Sequence, residues 1–388
     1  MTRWLRAVGH GWVVRDRVPG PDVDEFAEPD RVISALAAPG AASGTLLAVQ
    51  HPHRTPAALA AGLGLLDALP AAHEALAQLC RRAYRPVHDV VAPYWVDGPD
   101  GTSAGLLCMV DPAAVDARGI SRVHHSEQVY PDVVAERAEV LAGLGVATSA
   151  AMLVPVGEHD ELTSLVLQTA DELGSPEVSV VDSGERRHRM WLVGEGERQD
   201  ALLDAAGAHP LLVADGNHRV AAAAAARLEG LLALVTAGPR LRIGPIHRAL
   251  VDTGLSASDL AEAWLRVGLR VTVLSEVVAP EPGVVVVRAR DQVLRVELPE
   301  ADQRVDHAVV ESLLLEQALG LDPESPKVRP VINERWSAPE PDAVLLIAPV
   351  PLADVLAVHA RGDRMPRKST YFTPKPRSGL LLADLGRG

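Results

Sequence analysis

One stretch constrains the fold more than any other. The apolar run Leu211–Ala214 leads into the polar pentapeptide Asp-Gly-Asn-His-Arg, and six alanines follow Val220. A short apolar run is typical of a buried strand. An alanine-rich run is typical of a helix, and its small side chains allow close packing against neighbours. Gly216 between the two permits a tight or left-handed turn. The stretch therefore predicts a strand and a helix joined by a short polar turn.

The rest of the chain mixes strand and helix patterns throughout. Residues 132–145, which follow a proline, predict a helix that ends at a glycine. Residues 88–114 predict two strands around a Gly-Pro-Asp-Gly turn. Such mixing predicts an α/β or α+β fold, and 388 residues suffice for two or three domains. We expect an N-terminal α/β region, a core that carries the pentapeptide and a C-terminal α/β region that ends in a basic arm, at residues 1–120, 121–270 and 271–388.

Composition narrows the classes of function. The formal net charge of −14 disfavours a nucleic-acid-binding protein, because such proteins usually carry a basic field. Two cysteines give neither a disulfide framework nor a zinc ribbon. The opening residues lack the apolar core of a signal peptide, and no run of about 18 apolar residues occurs. We therefore expect a cytoplasmic protein with a small-molecule substrate and without a DNA or membrane partner.

The pentapeptide has the residue types of an anion site. The first N–H groups of a helix lack intrahelical acceptors and lie at the positive end of the helix dipole, so phosphates bind there readily. We expect Gly216, Asn217 and Arg219 to cradle phosphate oxygens, which suit the guanidinium fork. Asp215 would bind Mg²⁺ or position His218. The alternative is that Asp215 only caps the helix and the next polar side chains are exposed.

The segment Met365–Arg377, "MPRKSTYFTPKPR", is the second candidate. It contains two of the three lysines of a chain whose basic residues are otherwise arginines. Its prolines predict a stiff, extended arm. Lys368, Ser369 and Thr370 supply a positive charge and two hydroxyls, which suit a phosphate or a carboxylate. The alternative is a C-terminal strap that only packs against the rest of the protein.

Four motifs together resemble the family catalogued as domain of unknown function 1015. The stretch "DGNHRVAAA" is similar to the family's Asp-Gly-His-His-Arg-Tyr-Glu-Thr-Ala, with Asn217 in place of the first His. The stretch "MPRKSTYFTPK" keeps the family's ending almost intact. In "SEQVYPDVVAERAEVL", Glu127 keeps the family's Glu, and Ser126 replaces a His. The stretch "IGPIHRALV" matches the family's Pro-Thr-His-Arg-Leu at His247 and Arg248.

The Asp-Gly-x-His-Arg motif also resembles that of the ParB/sulfiredoxin-like superfamily, in which a strand, a glycine turn and a helix N-terminus hold nucleotide phosphates. The resemblance implies a ParB/sulfiredoxin-like core flanked by further α/β regions, with ATP, ADP or CTP as ligand. It implies that Glu127 accepts the proton of a substrate hydroxyl, as a glutamate does in free-serine kinases. It also assigns His247 and Arg248 to the nucleotide site. The alternatives are a solvated loop carboxylate for Glu127 and a structural role for His247.

These observations favour a phosphotransferase that uses ATP or ADP with Mg²⁺ and acts on a small hydroxyl compound, as a free-serine kinase does. Glu127, Asp215 and His218 are then the catalytic residues, and Lys368 neutralises charge that develops during transfer. The alternative is a non-catalytic nucleotide-binding switch of the ParB type. A metal-dependent hydrolase is disfavoured, because no His-x-x-x-His or equivalent ligand spacing occurs in the sequence.

Overall fold

The chain forms two compact units. Unit 1 comprises Met1–His125, Val129–Leu241 and Thr373–Gly388, and unit 2 comprises Ser126–Gln128 and Arg242–Phe372. Each unit contains helices and strands, which confirms the predicted mixed α/β class. The structure is a computed structural model that describes residues 3–22, 29–156, 161–299, 305–332 and 340–386.

The secondary structure of these residues is divided between short strands and mostly short helices. The strands are β1 (Leu5–Arg6), β2 (Val8–Val14), β3 (Tyr84–Val90), β4 (Ala92–Gly98), β5 (Gly101–Val110), β6 (Val123–His125), β7 (Val146–Ala147), β8 (Ala151–Pro155), β9 (Val178–Val181), β10 (Arg187–Met190), β11 (Leu211–Asp215), β12 (Leu231–Arg240), β13 (Arg242–Gly244), β14 (His247–Leu250), β15 (Arg270–Leu274), β16 (Val284–Ala289), β17 (Val293–Glu297), β18 (Val328–Val331), β19 (Ala343–Leu346), β20 (Tyr371–Thr373) and β21 (Leu381–Asp384).

The helices are α1 (Pro29–Leu36), α2 (Ala41–Gly44), α3 (Leu46–Gln50), α4 (Pro56–Ala61), α5 (Leu69–Ala83), α6 (Pro131–Leu144), α7 (Glu161–Leu173), α8 (Glu197–Ala206), α9 (Asn217–Ala225), α10 (Ala257–Arg266), α11 (Asp306–Val309) and α12 (Leu352–Ala360). A 3₁₀-helix at Pro52–Arg54 precedes α4, and a π-helix at Val310–Gln317 continues α11. None of the described helices combines the length and the apolar character that crossing a bilayer requires.

Unit 1 is built on a nine-stranded sheet. Its order is β6-β11-β8-β12-β5-β4-β10-β9, and β1 also pairs with β5. Strand β11 is parallel to β6 and β12 is parallel to β8, whereas the other pairs of this sheet are antiparallel. A second sheet of unit 1 has the order β3-β2-β21-β7. The strand that ends at Asp215 therefore lies inside the large sheet, next to β6 and β8.

Both faces of the large sheet are buried, as β5 illustrates. Leu106 and Cys108 pack in a core with residues of α7, α8 and α9. Leu107 and Met109 pack in a second core with residues of α5 and of the smaller sheet. Successive side chains of a strand point to opposite faces. A strand that is apolar at every position is therefore stable only when both of its faces are covered.

Unit 2 contains a six-stranded antiparallel sheet with the order β15-β17-β16-β19-β14-β18. Helix α10 begins with a capping box, in which the Ser256 hydroxyl accepts from the Asp259 N–H and the Asp259 carboxylate accepts from the Ser256 N–H. Trp264 of this helix is fully buried, and its indole N–H donates to the Leu314 carbonyl of the π-helix at 3.2 Å.

The two units divide the chain at other positions than the three expected regions, whose bounds stay a prediction. Unit 1 gathers residues from both ends of the chain, and unit 2 begins its main segment at Arg242 rather than near residue 270. The reason is that strands far apart in sequence pair with each other. Strand β5 pairs with β12, and β2 pairs with β21. Neither pairing changes local composition, so neither is visible as a boundary in the sequence.

Substitution of Gly105 tests the tight β5–β12 contact. A Cβ at Gly105 would collide with the Val235 carbonyl oxygen, so we expect Gly105→Ala to destabilise unit 1 by roughly 1–3 kcal/mol. Thermal denaturation measures the loss. The matched control is Gly44→Ala in α2, where the added Cβ has no described atom within 4 Å. Equal melting temperatures for the two variants would show that the β5–β12 approach is looser than described.

Candidate functional site

The turn between β11 and α9 has the geometry that the sequence predicts. Asp215 is the last residue of β11, and α9 begins at Asn217. Gly216 between them has φ 90° and ψ 28°, in the left-handed region. A Cβ at Gly216 would lie 2.9 Å from Nε of Arg219. The backbone angle and the packed guanidinium thus both favour glycine here.

The Asp215 carboxylate lies between two cations of unit 1. Its Oδ2 accepts from Nη2 of Arg219 at 2.7 Å, and its Oδ1 accepts from Nζ of Lys375 at 2.6 Å. Arg219 also donates to the Ser149 hydroxyl at 2.7 Å and to the Ala150 carbonyl at 3.0 Å. These three side chains alone carry a net charge of about +1, and Asp22, Asp182 and Arg186 also line the adjoining cleft. The group lies at a helix N-terminus, where the dipole adds positive potential.

Asn217 and His218 make contacts that hold the start of α9. Asn217 is buried, and its side-chain oxygen lies 3.2 Å from Nδ1 of His125, at the end of β6. Nε2 of His218 accepts from the Tyr130 N–H at 3.1 Å, and the two rings stack with centroids 5.7 Å apart. Because Nε2 is an acceptor, a neutral His218 carries its proton on Nδ1. Within the pentapeptide, Arg219 is therefore the side chain that lies with Asp215 and Lys375.

A narrow cleft of unit 1 opens beside this group. Its volume of about 20 Å³ is the space of roughly one water molecule. A phosphate is larger than this space, so its entry would require lining side chains to move. The cleft is lined mainly by carboxylates and cations: Asp22, Ala150, Asp182, Arg186, Asp215, Arg219, Lys375, Pro376 and Ser378.

Charged groups in the wall of the cleft are already paired. Arg186 binds the Asp100 carboxylate through Nε and Nη2, at 2.9–3.1 Å. Burial by itself would raise the pKa of Asp182, but the hydrogen bonds from His188 and from the Arg186 N–H outweigh burial and lower it. Burial also lowers the pKa of His188, against the opposing effect of Asp182.

In unit 2, Glu127 accepts hydrogen bonds from the arm. Its Oε1 accepts from the N–H groups of Ser369 and Thr370 at 3.2 and 3.0 Å and from the Thr370 hydroxyl at 2.7 Å. Its Oε2 accepts from the Lys368 N–H at 3.2 Å. Lys368 has φ 52°, in the left-handed region. Successive N–H groups that converge in this way form an anion-binding nest, and the carboxylate of Glu127 occupies it.

Arg248 holds the same part of the arm through its carbonyl groups. The guanidinium is buried and donates to the carbonyls of Arg367 and Lys368, both at 3.1 Å. It also pairs with Glu311 of the π-helix at 2.8 Å. Nδ1 of His247 accepts from the Ile347 N–H at 3.1 Å. These contacts give His247 and Arg248 a structural role in unit 2, and their assignment to a nucleotide site stays a prediction.

The candidates thus fall into two groups, one in each unit. Asp215–Arg219 lie in unit 1 with Lys375, whereas Glu127, His247, Arg248 and Lys368–Thr370 lie in unit 2. Lys375 is the functional candidate that the sequence analysis did not select. The scarcity of lysine in the sequence drew attention to the arm, but it could not distinguish Lys375 from Lys368.

The described residues contain no group of three or more His, Cys, Asp or Glu side chains placed to share a metal ion. Both oxygens of Asp215 accept from cations, so a Mg²⁺ ion at Asp215 would share the carboxylate with Arg219 and Lys375 or displace one of them. Mg²⁺ usually takes one or two carboxylates together with substrate phosphates and water. The residues therefore fit an ion that enters with a nucleotide, and Asp215 as its ligand stays a prediction.

Replacement of Glu127 tests its hold on the arm. Glu127→Ala removes the acceptor of three backbone N–H groups, so we expect amide hydrogen exchange at residues 368–370 to become about tenfold faster, a loss of roughly 1–2 kcal/mol of local stability. Mass spectrometry of a peptide that covers the arm measures the exchange. The control is Glu324→Ala, which removes an ion pair to the Arg367 side chain at 3.2 Å. Unchanged exchange in Glu127→Ala would remove this role.

Several solved structures are similar to this chain at low sequence identity. SbnI with a C-terminal truncation, from Staphylococcus aureus, has 12% identity and a TM-score of 0.41, over 71% of this chain and 87% of that one. A free serine kinase in complex with AMP has 13% identity and a TM-score of 0.38, over 67% and 89% of the two chains. A conserved hypothetical protein from Pyrococcus furiosus has 12% identity and a TM-score of 0.37, over 66% and 90%. These similarities are remote, so the roles of the site residues rest on their own geometry.

The family comparison is more specific. No curated protein matches the sequence. The profile of the family described as "Protein of unknown function (DUF1015)" matches residues 88–313, which is more than half of the chain. The matched region includes Glu127, the whole β11–α9 turn and the His247–Arg248 pair. The chain therefore belongs to the DUF1015 family.

Proposed function

We propose that this protein is a cytoplasmic nucleotide-dependent phosphotransferase that transfers the terminal phosphoryl group of ATP or ADP to a small hydroxyl compound. A free hydroxy amino acid is the type of acceptor that we favour. One observation carries the proposal. Arg219 and Lys375 both pair with the Asp215 carboxylate, beside the left-handed Gly216 and the N-terminus of α9. The ParB/sulfiredoxin-like character of this core is part of the proposal.

The charges of this group suit a phosphate. Arg219 offers a fork of N–H donors to phosphate oxygens, and Lys375 offers a compact positive charge. The Asp215 carboxylate keeps the two cations close together, although their charges repel each other. Phosphoryl transfer depends mainly on positioning and on neutralisation of the phosphate charge. Two cations and a helix N-terminus supply both.

The transfer step assigns the remaining roles. The acceptor oxygen attacks the terminal phosphorus, the bond from that phosphorus to the leaving phosphate oxygen breaks, and the hydroxyl proton passes to the Glu127 carboxylate. Glu127 must then exchange some of its hydrogen bonds to residues 368–370 for contact with the substrate. Lys368 neutralises developing charge. Asp215 would hold the Mg²⁺ that accompanies the nucleotide, and the ion would supply further charge neutralisation at the phosphates. His218 orients the start of α9 through its contact with Tyr130.

Loss of either cation is expected to weaken nucleotide binding. A hydrogen bond to a charged group contributes roughly 1.5–3 kcal/mol, so Arg219→Ala and Lys375→Ala should each raise the Kd for ADP with Mg²⁺ about tenfold or more. Isothermal titration calorimetry measures the change. Arg118→Ala is the control, because Arg118 is an exposed arginine of unit 1 that pairs with Asp116. Unchanged affinity in both cleft variants would remove this cluster from the nucleotide site.

A product assay separates the enzyme from a nucleotide-binding switch. The protein is incubated with ATP or ADP, Mg²⁺ and a set of hydroxy amino acids, and ³¹P NMR detects any new phosphomonoester. We expect a product only when an acceptor is present. We also expect Glu127→Gln to lose turnover while it retains nucleotide affinity. Tight nucleotide binding without any phosphomonoester would contradict the proposed transfer and favour a ParB-like switch.

A further inference from the structure

Lys375 is flanked by two residues that unit 1 holds through polar contacts, one through its side chain and one through its backbone N–H. Two residues before it, the Thr373 hydroxyl donates to the Asp100 carboxylate. Two residues after it, the Arg377 N–H donates to the Tyr94 hydroxyl at 3.1 Å. Lys375 stands between these two residues in the sequence, and its ammonium group donates to the Asp215 carboxylate at 2.6 Å. The backbone around this lysine is thus tied down on both sides.

The first tie, the contact between Thr373 and Asp100, continues into the wall of the cleft. Asp100 is bound by Arg186 through three contacts of 2.9–3.1 Å. Nη1 of Arg186 also lies 3.4 Å from Oδ2 of Asp182. Asp182 is itself fixed, because its Oδ1 accepts from the N–H groups of Gly184 and Arg186 at 2.8 and 2.9 Å. This turn joins β9 to β10, so the tie ends on the edge hairpin of the large sheet.

The second tie, the contact between Arg377 and Tyr94, also leads to Asp182, through buried side chains. The Tyr94 hydroxyl lies 2.6 Å from Nδ1 of His188, and Nε2 of His188 lies 3.1 Å from Oδ2 of Asp182. Tyr94 is fully buried and His188 is 1% exposed. The Asp182 carboxylate can only accept, so a neutral His188 carries its proton on Nε2 and donates it to Asp182. Nδ1 of His188 then accepts from the Tyr94 hydroxyl, and the Tyr94 oxygen accepts the Arg377 N–H. Every contact in this buried chain has a defined donor and acceptor.

The two ties form a closed path whose members are Asp100, Arg186, Asp182, His188 and Tyr94, here called the Lys375 clamp. We infer that these five are positioning residues, which fix the backbone on both sides of Lys375 and thereby hold its ammonium group at the phosphate-binding cluster. The identity of the ligand, a nucleotide phosphate, rests on the proposed function. The clamp itself does not depend on that function.

The physical benefit is a reduced ordering cost. A lysine side chain loses rotamer entropy when it is immobilised, and an unrestrained backbone would add to this loss. Fully satisfied buried polar networks are rigid. The clamp therefore orders the backbone before a ligand binds, so that binding does not have to supply this part of the entropy loss. Stability alone does not account for this network, because buried polar and charged groups stabilise a core little more than apolar groups of similar size do.

The scarcity of lysine makes the inference directly measurable. The chain has only Lys327, Lys368 and Lys375, so protein labelled with ¹³C at the lysine ε-carbons gives three signals. Lys375→Arg identifies the signal of Lys375. We expect Tyr94→Phe to shift this signal towards the position of a mobile, solvated lysine, because the tie to Arg377 is lost. The signals of Lys327 and Lys368 should stay in place and serve as internal references.

A second buried tyrosine provides the matched control. Tyr84 is also fully buried in unit 1, and its hydroxyl donates to the Gly379 carbonyl at 2.9 Å, outside the clamp. Tyr84→Phe removes the same atom and should leave the Lys375 signal unchanged. Thr373→Val opens the clamp at its other end and keeps the side-chain shape, so it should shift the signal as well. This variant also keeps the test available if Tyr94→Phe does not fold.

The outcomes separate the clamp from the proposed function. A Lys375 signal that is unmoved by both Tyr94→Phe and Thr373→Val, or moved equally by Tyr84→Phe, would overturn the clamp. Titration of the wild-type protein with ADP and Mg²⁺ then tests the ligand. We expect the Lys375 signal to respond to ADP, with a Kd about tenfold higher in Tyr94→Phe, which corresponds to about 1.4 kcal/mol. If ADP does not affect Lys375 in the wild type, the proposed nucleotide site fails, although the clamp stands on the first result.

Discussion

The Asp215 carboxylate is the interaction on which the candidate nucleotide site depends. It accepts Arg219 on one oxygen and Lys375 on the other, so a single negative charge keeps two positive charges together at the start of a helix. Without it, the two cations would repel each other and would not stay together beside Gly216. Under the proposed function, a phosphate would replace part of the Asp215 contact, so that the cations change partners.

A second carboxylate, Glu127, organises the arm in unit 2. It accepts the N–H groups of residues 368–370, while Arg248 takes the carbonyls of residues 367 and 368. The backbone of this segment is therefore held through both its donors and its acceptors. In unit 1 the next segment, residues 373–377, is held by Asp100 and Tyr94. In both units, charged and polar groups contact the arm, which contains three prolines and only one short strand.

The sequence predicted the features that depend on neighbouring residues. The apolar run, the glycine and the alanines gave β11, the left-handed turn and α9. Pro131 and the glycine at 145 gave α6, which ends with a left-handed Gly145. Contacts between distant residues were not predicted, because spacing along the chain says nothing about them. Lys375 and Asp215 are 160 residues apart, and Glu127 and Thr370 are 243 apart. The lysine count singled out the arm, but only the fold distinguishes its two lysines. The Lys375 ammonium group pairs with Asp215, whereas the Lys368 backbone N–H donates to Glu127.

The most direct measurement is a crystal structure of the protein with ADP and Mg²⁺. We expect the terminal phosphate within hydrogen-bond distance of Arg219, Lys375 and the first N–H groups of α9, with at least one of the two ion pairs to Asp215 lengthened or broken. A nucleotide bound elsewhere, with Arg219 and Lys375 both still on Asp215, would contradict the assignment of this cluster as the phosphate site.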